Sequence, residues 1–268
     1  MKRGFVAFVL LVLATATPAL FAQEAPVTGS ATLGLFNRYI FRGYELGAEN
    51  GVIQPSLAVT TRGFTLSFWG NIDVEEEATP SFEPDRPGHG SFNEADISLS
   101  YTRTVGRFEA TAGWIYYGTR YATETQEVWL GVSYDTIGKP TLTVYRDVGS
   151  YPGTYINLSL SHSLAFGKSV SLDLGASAGY FAGSDDCWRT YDPNEGAYTG
   201  ERYHDFHDGM LKAGLTIALA EGWSIQPMVQ YFFPLSSTAR RVSDGNSINP
   251  DGRLADTVVY GTTIVMSF

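Results

Sequence analysis

His162 stands between Ser161 and Ser163, His204 and His207 each precede an aspartate, and the single cysteine, Cys187, follows Asp185 and Asp186. A histidine beside a serine and an orienting acid would serve nucleophilic hydrolysis. Two histidines three residues apart would converge on a metal if they lay on a helix. A lone thiol could be reactive or could bridge to another chain. The run Asp73, Glu75, Glu76 and Glu77, with Glu83 and Asp85 beyond it, offers hard oxygen ligands of the kind Ca²⁺ or Mg²⁺ takes. Which of these the chain can use depends on the elements that carry them.

Those elements read as strands. From Thr28 onward apolar side chains recur at every second position over segments of about ten residues. Phe64, Leu66, Phe68, Ile72 and Val74 share one parity, and Thr65, Ser67, Trp69, Asn71, Asp73 and Glu75 share the other. Residues 92–105 and 168–181 repeat the scheme. About twelve strands are expected, near 29–41, 51–61, 63–75, 92–105, 107–118, 124–135, 140–148, 153–166, 168–181, 205–220, 222–234 and 254–268. Short turns at 61–63, 105–107, 136–139, 166–168 and 220–222 alternate with the connections 42–50, 76–91, 119–123, 149–152, 182–204 and 235–253, several of them long. This sorting predicts an all-β fold, a transmembrane antiparallel up-and-down β-barrel of about 12 strands with short periplasmic turns and longer extracellular loops. Aromatic residues near the segment ends, Phe64, Tyr101, Phe108, Tyr134, Phe166 and Trp223 at the turns and Phe41, Tyr116, Tyr180 and Phe233 at the loops, would form two interfacial girdles.

Strand geometry disposes of most of the chemistry. Neighbours in a strand point to opposite faces, so neither serine shares the side of His162, and an i, i+3 histidine pair diverges. The acidic run lacks the Asp-x-Asp-x-Asp-Gly spacing of a calcium loop and reads as a solvated face. The expectation is therefore a non-enzyme with no catalytic residue, no metal and no cofactor, in which Cys187 is a partly buried loop residue.

Composition agrees. Only 17% of the 268 residues are charged, against roughly 25% in soluble domains, while 14% are aromatic and 29 are glycine. A net charge of −10 argues against a nucleic-acid binder, and one cysteine excludes an intrachain disulfide scaffold. Residues 1–22 read as a cleaved signal peptide, with Lys2 and Arg3 ahead of the apolar run Phe5 to Leu13, leaving 23–268 as the barrel. No later stretch of 18 apolar residues occurs, so any crossing of a membrane falls to strands. Val258, Tyr260, Ile264, Met266 and the terminal Phe268 share one parity. Such an aromatic-ended strand resembles the signal by which barrels meet their assembly machinery.

The stretch Asn37-Arg38-Tyr39-Ile40-Phe41-Arg42-Gly43, followed by Gln54-Pro55-Ser56-Leu57 and by Gly63-Phe64 with Phe68-Trp69-Gly70-Asn71, resembles the opening of the TorF-type porin family of proteobacterial outer-membrane proteins. Glu94 and Asp96, Gly113-Trp114-Ile115-Tyr116-Tyr117, Glu127, Tyr145-Arg146-Asp147, Gly175, Gly179 and Tyr180 extend the resemblance over most of the chain. The family commonly has Ser-Asp where this chain has Asn37-Arg38, and the loops 76–91 and 182–204 look particular to this protein. The resemblance implies a porin-like barrel and brings no catalytic residues.

With the apolar parity facing lipid, Asp73, Glu94, Asp96, Glu127, Asp147, Asp173 and Asp208 would face the lumen, opposed by bases such as Arg38 and Lys212. These nine are the candidate pore-lining residues. Carboxylates around a confined passage concentrate cations and repel anions. The expected function is an outer-membrane porin or channel for small solutes with cation or neutral-solute preference, in a bacterial outer membrane and in contact with its lipid. The alternatives are a non-conducting barrel acting through its extracellular loops and an outer-membrane lipid hydrolase.

Overall fold

The computed structural model describes residues 26–46, 50–76, 87–120, 122–184, 188–192, 194–244 and 256–268. The expected signal peptide, Cys187, Glu77, Glu83 and Asp85 lie outside the described residues. In chain order the strands are β1 (Thr28–Phe36), β2 (Ile40–Phe41), β3 (Tyr44–Glu45), β4 (Val52–Thr61), β5 (Phe64–Asp73), β6 (Ser91–Val105), β7 (Phe108–Thr119) and β8 (Thr125–Tyr134). They continue as β9 (Thr141–Asp147), β10 (Gly153–Phe166), β11 (Val170–Gly183), β12 (Arg189–Asp192), β13 (Ala197–Arg202), β14 (His204–Ala220), β15 (Trp223–Pro234) and β16 (Thr257–Ser267), with one helix, α1 (Ser237–Asp244), before β16.

Twelve of these form a closed antiparallel barrel, and β2–β3 and β12–β13 are separate hairpins. Closure is made by β1 against β16, in register from Ser30↔Ser267 to Phe36↔Gly261. Gly29 and Phe268 exchange backbone hydrogen bonds beyond it. No ladder edge of the barrel is left to recruit another chain.

The alternation sorts the two faces as expected. Leu66, Leu99, Leu158 and Leu211 on the outside are each 48–57% exposed, whereas Asn71, Asp73, Glu94, Asp96 and Glu127 are buried inside. A protein whose large apolar side chains face outward in a belt has no conventional core, and its polar groups must satisfy one another within the lumen. Towards the turn end they do so through hydroxyl pairs: Thr32 with Ser56 (2.6 Å), Ser67 with Ser98 (2.6 Å) and Thr102 with Thr111 (2.9 Å). Phe64 packs on Tyr101 and Phe108 on Tyr134 at 4.8 Å between ring centroids, both pairs at the turn end. At the loop end Tyr180 meets Phe206 at 5.5 Å. The buried apolar cluster also lies at the loop end, where Ala239 of α1 packs with Tyr44, Tyr155, Phe181 and Tyr203.

One segment departs from the expected pattern. A single strand over 29–41 is predicted by alternation, yet β1 stops at Phe36. Asn37 ends the ladder with backbone and side chain together: its amide donates to the Tyr260 carbonyl and its carbonyl accepts from Gly51, both at 3.1 Å, while Nδ2 donates to the Val258 carbonyl at 3.2 Å and the Tyr260 amide donates to Oδ1 at 2.8 Å. With the bonding to both neighbours completed at Asn37, the residues after it leave the ladder and turn. The chain then runs into the lumen, so Phe41 sits inside the barrel and not in an outer girdle.

Candidate functional site

The inward segment is a miniature hairpin. β2 and β3 pair as Ile40↔Glu45 and Phe41↔Tyr44. The connecting residues Arg42 and Gly43 have φ of 48° and 81°, the double left-handed conformation of a two-residue type I′ turn. Gly43 adopts it without strain; Arg42 does not, and needs compensation from its surroundings. At the base, Arg38 Nη1 pairs with Glu45 Oε1 at 2.6 Å and the Leu46 amide donates to the Tyr39 carbonyl.

The compensation is at the tip. Arg42 Nη1 and Nη2 donate to the two carboxylate oxygens of Glu127 on β8 at 2.7 and 2.6 Å. Tyr117 of β7 donates to the same carboxylate at 2.8 Å. The guanidinium carbon lies 4.7 Å from the ring centroids of Phe41 and Tyr145 and 4.6 Å from that of Tyr155, within cation–π range. The Arg42 and Glu127 side chains are only 12% and 6% exposed. Burial alone would lower the affinity of Arg42 for its proton, but the Glu127 carboxylate more than offsets it, and the guanidinium is held charged. A buried ion pair of this kind is helped by the further bond from Tyr117 to the carboxylate and by the aromatic faces around the guanidinium.

The hairpin spans the lumen. Tyr39 packs on Trp69 of β5 at 5.2 Å and lies beside Glu94 of β6. Tyr44 lies 5.1 Å from His207 of β14, whose Nδ1 is 2.7 Å from the Tyr203 hydroxyl. Behind it, Tyr155 donates to Asp208 at 2.9 Å. A Cβ at Gly179 would collide with that carboxylate and hydroxyl, so only glycine admits the pair.

Two chambers flank the tip. The one at the loop end has a volume of about 160 Å³ and walls from Tyr44, Leu46, Thr123, Tyr151 and Trp188. The one towards the turn end measures about 450 Å³ and is walled by Ser67, Ser98, Asp96 and Asn157. Phe41, Arg42, Tyr117 and Tyr155 border both. The hairpin tip and its cage therefore stand between these two chambers.

The barrel has a solved counterpart. An outer membrane channel from Pseudomonas putida F1 superposes with a TM-score of 0.51 at 9% identity, covering 95% of this chain and 100% of that one. The fold is that of an outer-membrane β-barrel. LpxR from Salmonella typhimurium gives a TM-score of 0.43 at 11% identity over 88% of this chain and 99% of its own. No protein-family model and no curated protein matches the sequence.

The residues singled out by sequence fall into four settings. Arg38 sits at the hairpin base, Glu94 lies beside Tyr39, and Glu127 holds Arg42. Asp73 accepts from Asn71 at 3.1 Å and Asn93 at 2.7 Å, Asp147 accepts from Thr125 and the Gly149 amide, and Asp208 accepts from Tyr155. Asp96 is buried against the larger chamber, and its Oδ1 has no hydrogen-bond partner. Asp173, on β11, accepts from Thr216 at 2.6 Å, and Lys212 lies opposite Gly175 on the same wall. His162 faces outward and exposed beside Leu174, while Ser163 lies opposite Asp173 in the ladder. His204 is exposed and bonds the Arg202 carbonyl, apart from the buried His207.

Arg42 was not among the residues expected to matter, and neither were Asn71 and Asn93. The Phe-Arg-Gly-Tyr run, an aromatic pair around a residue and a glycine, carries the hairpin signal. Asn93 points inward with Glu94 because a bulge in β6 sets two residues against one of β5. A bulge in β14 likewise turns both His207 and Asp208 inward opposite Gly179.

Proposed function

We propose that this protein is a diffusion channel of the bacterial outer membrane for small cationic or neutral solutes, held closed by the β2–β3 hairpin. The observation that carries the reading is the place of the hairpin: its tip, which belongs to no barrel strand, stands between two solvent-sized chambers. Buried acids surround the hairpin and paired hydroxyls line the remainder, a surface that suits cations and uncharged polar solutes. A twelve-stranded barrel is narrower than a general porin of 16 to 18 strands, which limits the solutes to small ones. The Pseudomonas putida neighbour, described as an outer membrane channel, lends support to the same class.

In this reading residues 1–22 direct export and are removed, the turns face the periplasm, and the strand ending in Phe268 engages the assembly machinery. The protein is not an enzyme; loss of phospholipid hydrolysis on His162→Ala would contradict that. Reversal potentials of the refolded protein in planar bilayers under a salt gradient test the selectivity. Cation preference is expected, and clear anion selectivity sinks the proposal. A second reading is favoured by the buried Arg42–Glu127 pair, in which the hairpin is a permanent plug and the barrel acts through its loops; a barrel that stays silent after hairpin removal would establish it.

A further inference from the structure

The hairpin tip is an unusual way to fasten a plug. Besides its two hydrogen bonds, Arg42 is wrapped as a bound cation would be: a bidentate carboxylate on one edge and three aromatic faces within 4.7 Å. Apart from Phe41, the walls of this cage, Tyr117, Glu127, Tyr145 and Tyr155, belong to the consecutive strands β7 to β10. Their backbones are held by barrel pairing, to which the hairpin contributes no strand. The occupant is delivered by two short strands and an arginine in a left-handed backbone conformation. Chambers on either side give access to the cage without any change in the barrel.

A second observation points the same way. The Asp96 Oδ1 oxygen is buried, has no hydrogen-bond partner, and borders the larger chamber directly below the cage. An unmet carboxylate oxygen at that place favours a cation leaving the cage towards the turn end.

We propose that Glu127 with Tyr117, Tyr145 and Tyr155 forms a binding site for solutes bearing a guanidinium or primary ammonium group, and that Arg42 occupies it as a tethered surrogate. This rests on the channel reading and names its solute class. Organic cations compete with Arg42, displace the hairpin and pass towards Asp96. Because the surrogate is tethered, its effective concentration is on the order of millimolar or above, and a free solute meets a correspondingly weakened site.

The test is calorimetric titration of agmatine into the full-length refolded protein in detergent, with heat-modifiable gel mobility reporting an intact barrel. Arg42→Gly suits the left-handed backbone at that position and vacates the cage. It should bind agmatine at least tenfold more tightly than the wild type, and adding Glu127→Gln should weaken that binding at least tenfold. Arg42→Gln, which keeps side-chain length without charge, serves where the glycine variant does not fold. Binding by the vacated variants no tighter than wild type, or insensitive to Glu127→Gln, overturns the site. Bilayer currents carried by K⁺ separate the two claims. A vacated variant that conducts without binding agmatine refutes the site and leaves the channel standing. One that binds through Glu127 but passes no current supports the site and refutes the channel.

Discussion

Replacing Glu127 with glutamine removes the charge that holds the hairpin while leaving a side chain of the same shape. In the closed state Arg42 donates to both oxygens of Glu127, and the pair is nearly buried. Hydrogen bonds to charged groups contribute about 1.5–3 kcal/mol each, and an uncompensated buried guanidinium is penalised further. Against this, the amide oxygen of glutamine still accepts one bond, and the released arginine is solvated once the hairpin swings out. A net loss of about 2–3 kcal/mol from the closed state follows, which shifts the open-to-closed ratio by roughly 30- to 150-fold. Single-channel recording of the refolded protein in planar bilayers reads this ratio as open probability. Glu109→Gln is the control, because Glu109 is partly exposed at the turn end beside Lys139, away from the hairpin, and it should alter opening by less than about twofold. An open probability in Glu127→Gln equal to that of the wild type, with the barrel intact, would refute the reasoning.

Three further outcomes are expected. Gly43→Ala forces a Cβ into a left-handed turn at φ 81°, costs the closed hairpin about 1–2 kcal/mol, and raises open probability roughly 5- to 30-fold in the same recordings. Asp73→Ala strands the buried amide donors of Asn71 and Asn93 and lowers stability by about 1–3 kcal/mol, measured as a lower urea midpoint for loss of the folded gel mobility. Leu99→Arg places a charge in the outward apolar belt and costs about 2–4 kcal/mol for insertion into lipid vesicles if the residue sits near the bilayer midplane; unchanged folding into vesicles would argue against that belt facing lipid.

Alternation made the barrel legible because each strand meets one apolar and one polar environment. β10 falls on its expected limits, and β4, β5, β7, β8, β9 and β15 fall within one or two residues of theirs. What escaped was every place where period two is interrupted. Tyr39 and Phe41 continue the parity of β1, so nothing in the alternation reveals that Asn37 has already diverted the chain inward. The bulges beside Asn93 and His207 bring two neighbours to one face, which a strict alternation forbids. The acids were recognisable as inward, but not their partners, since the bonds from Arg42 to Glu127 and from Tyr155 to Asp208 join residues 85 and 53 positions apart. The site is built from those long-range pairs, and only a folded barrel displays them.

The central claim is that the β2–β3 hairpin closes an otherwise continuous lumen. It is tested most directly by comparing the bilayer conductance of the wild type with that of a variant in which residues 38–45 are replaced by a short Gly-Ser linker. The account predicts rare, brief openings for the wild type and a steady, cation-preferring conductance for the variant. A variant that folds into the bilayer and remains non-conducting would contradict it.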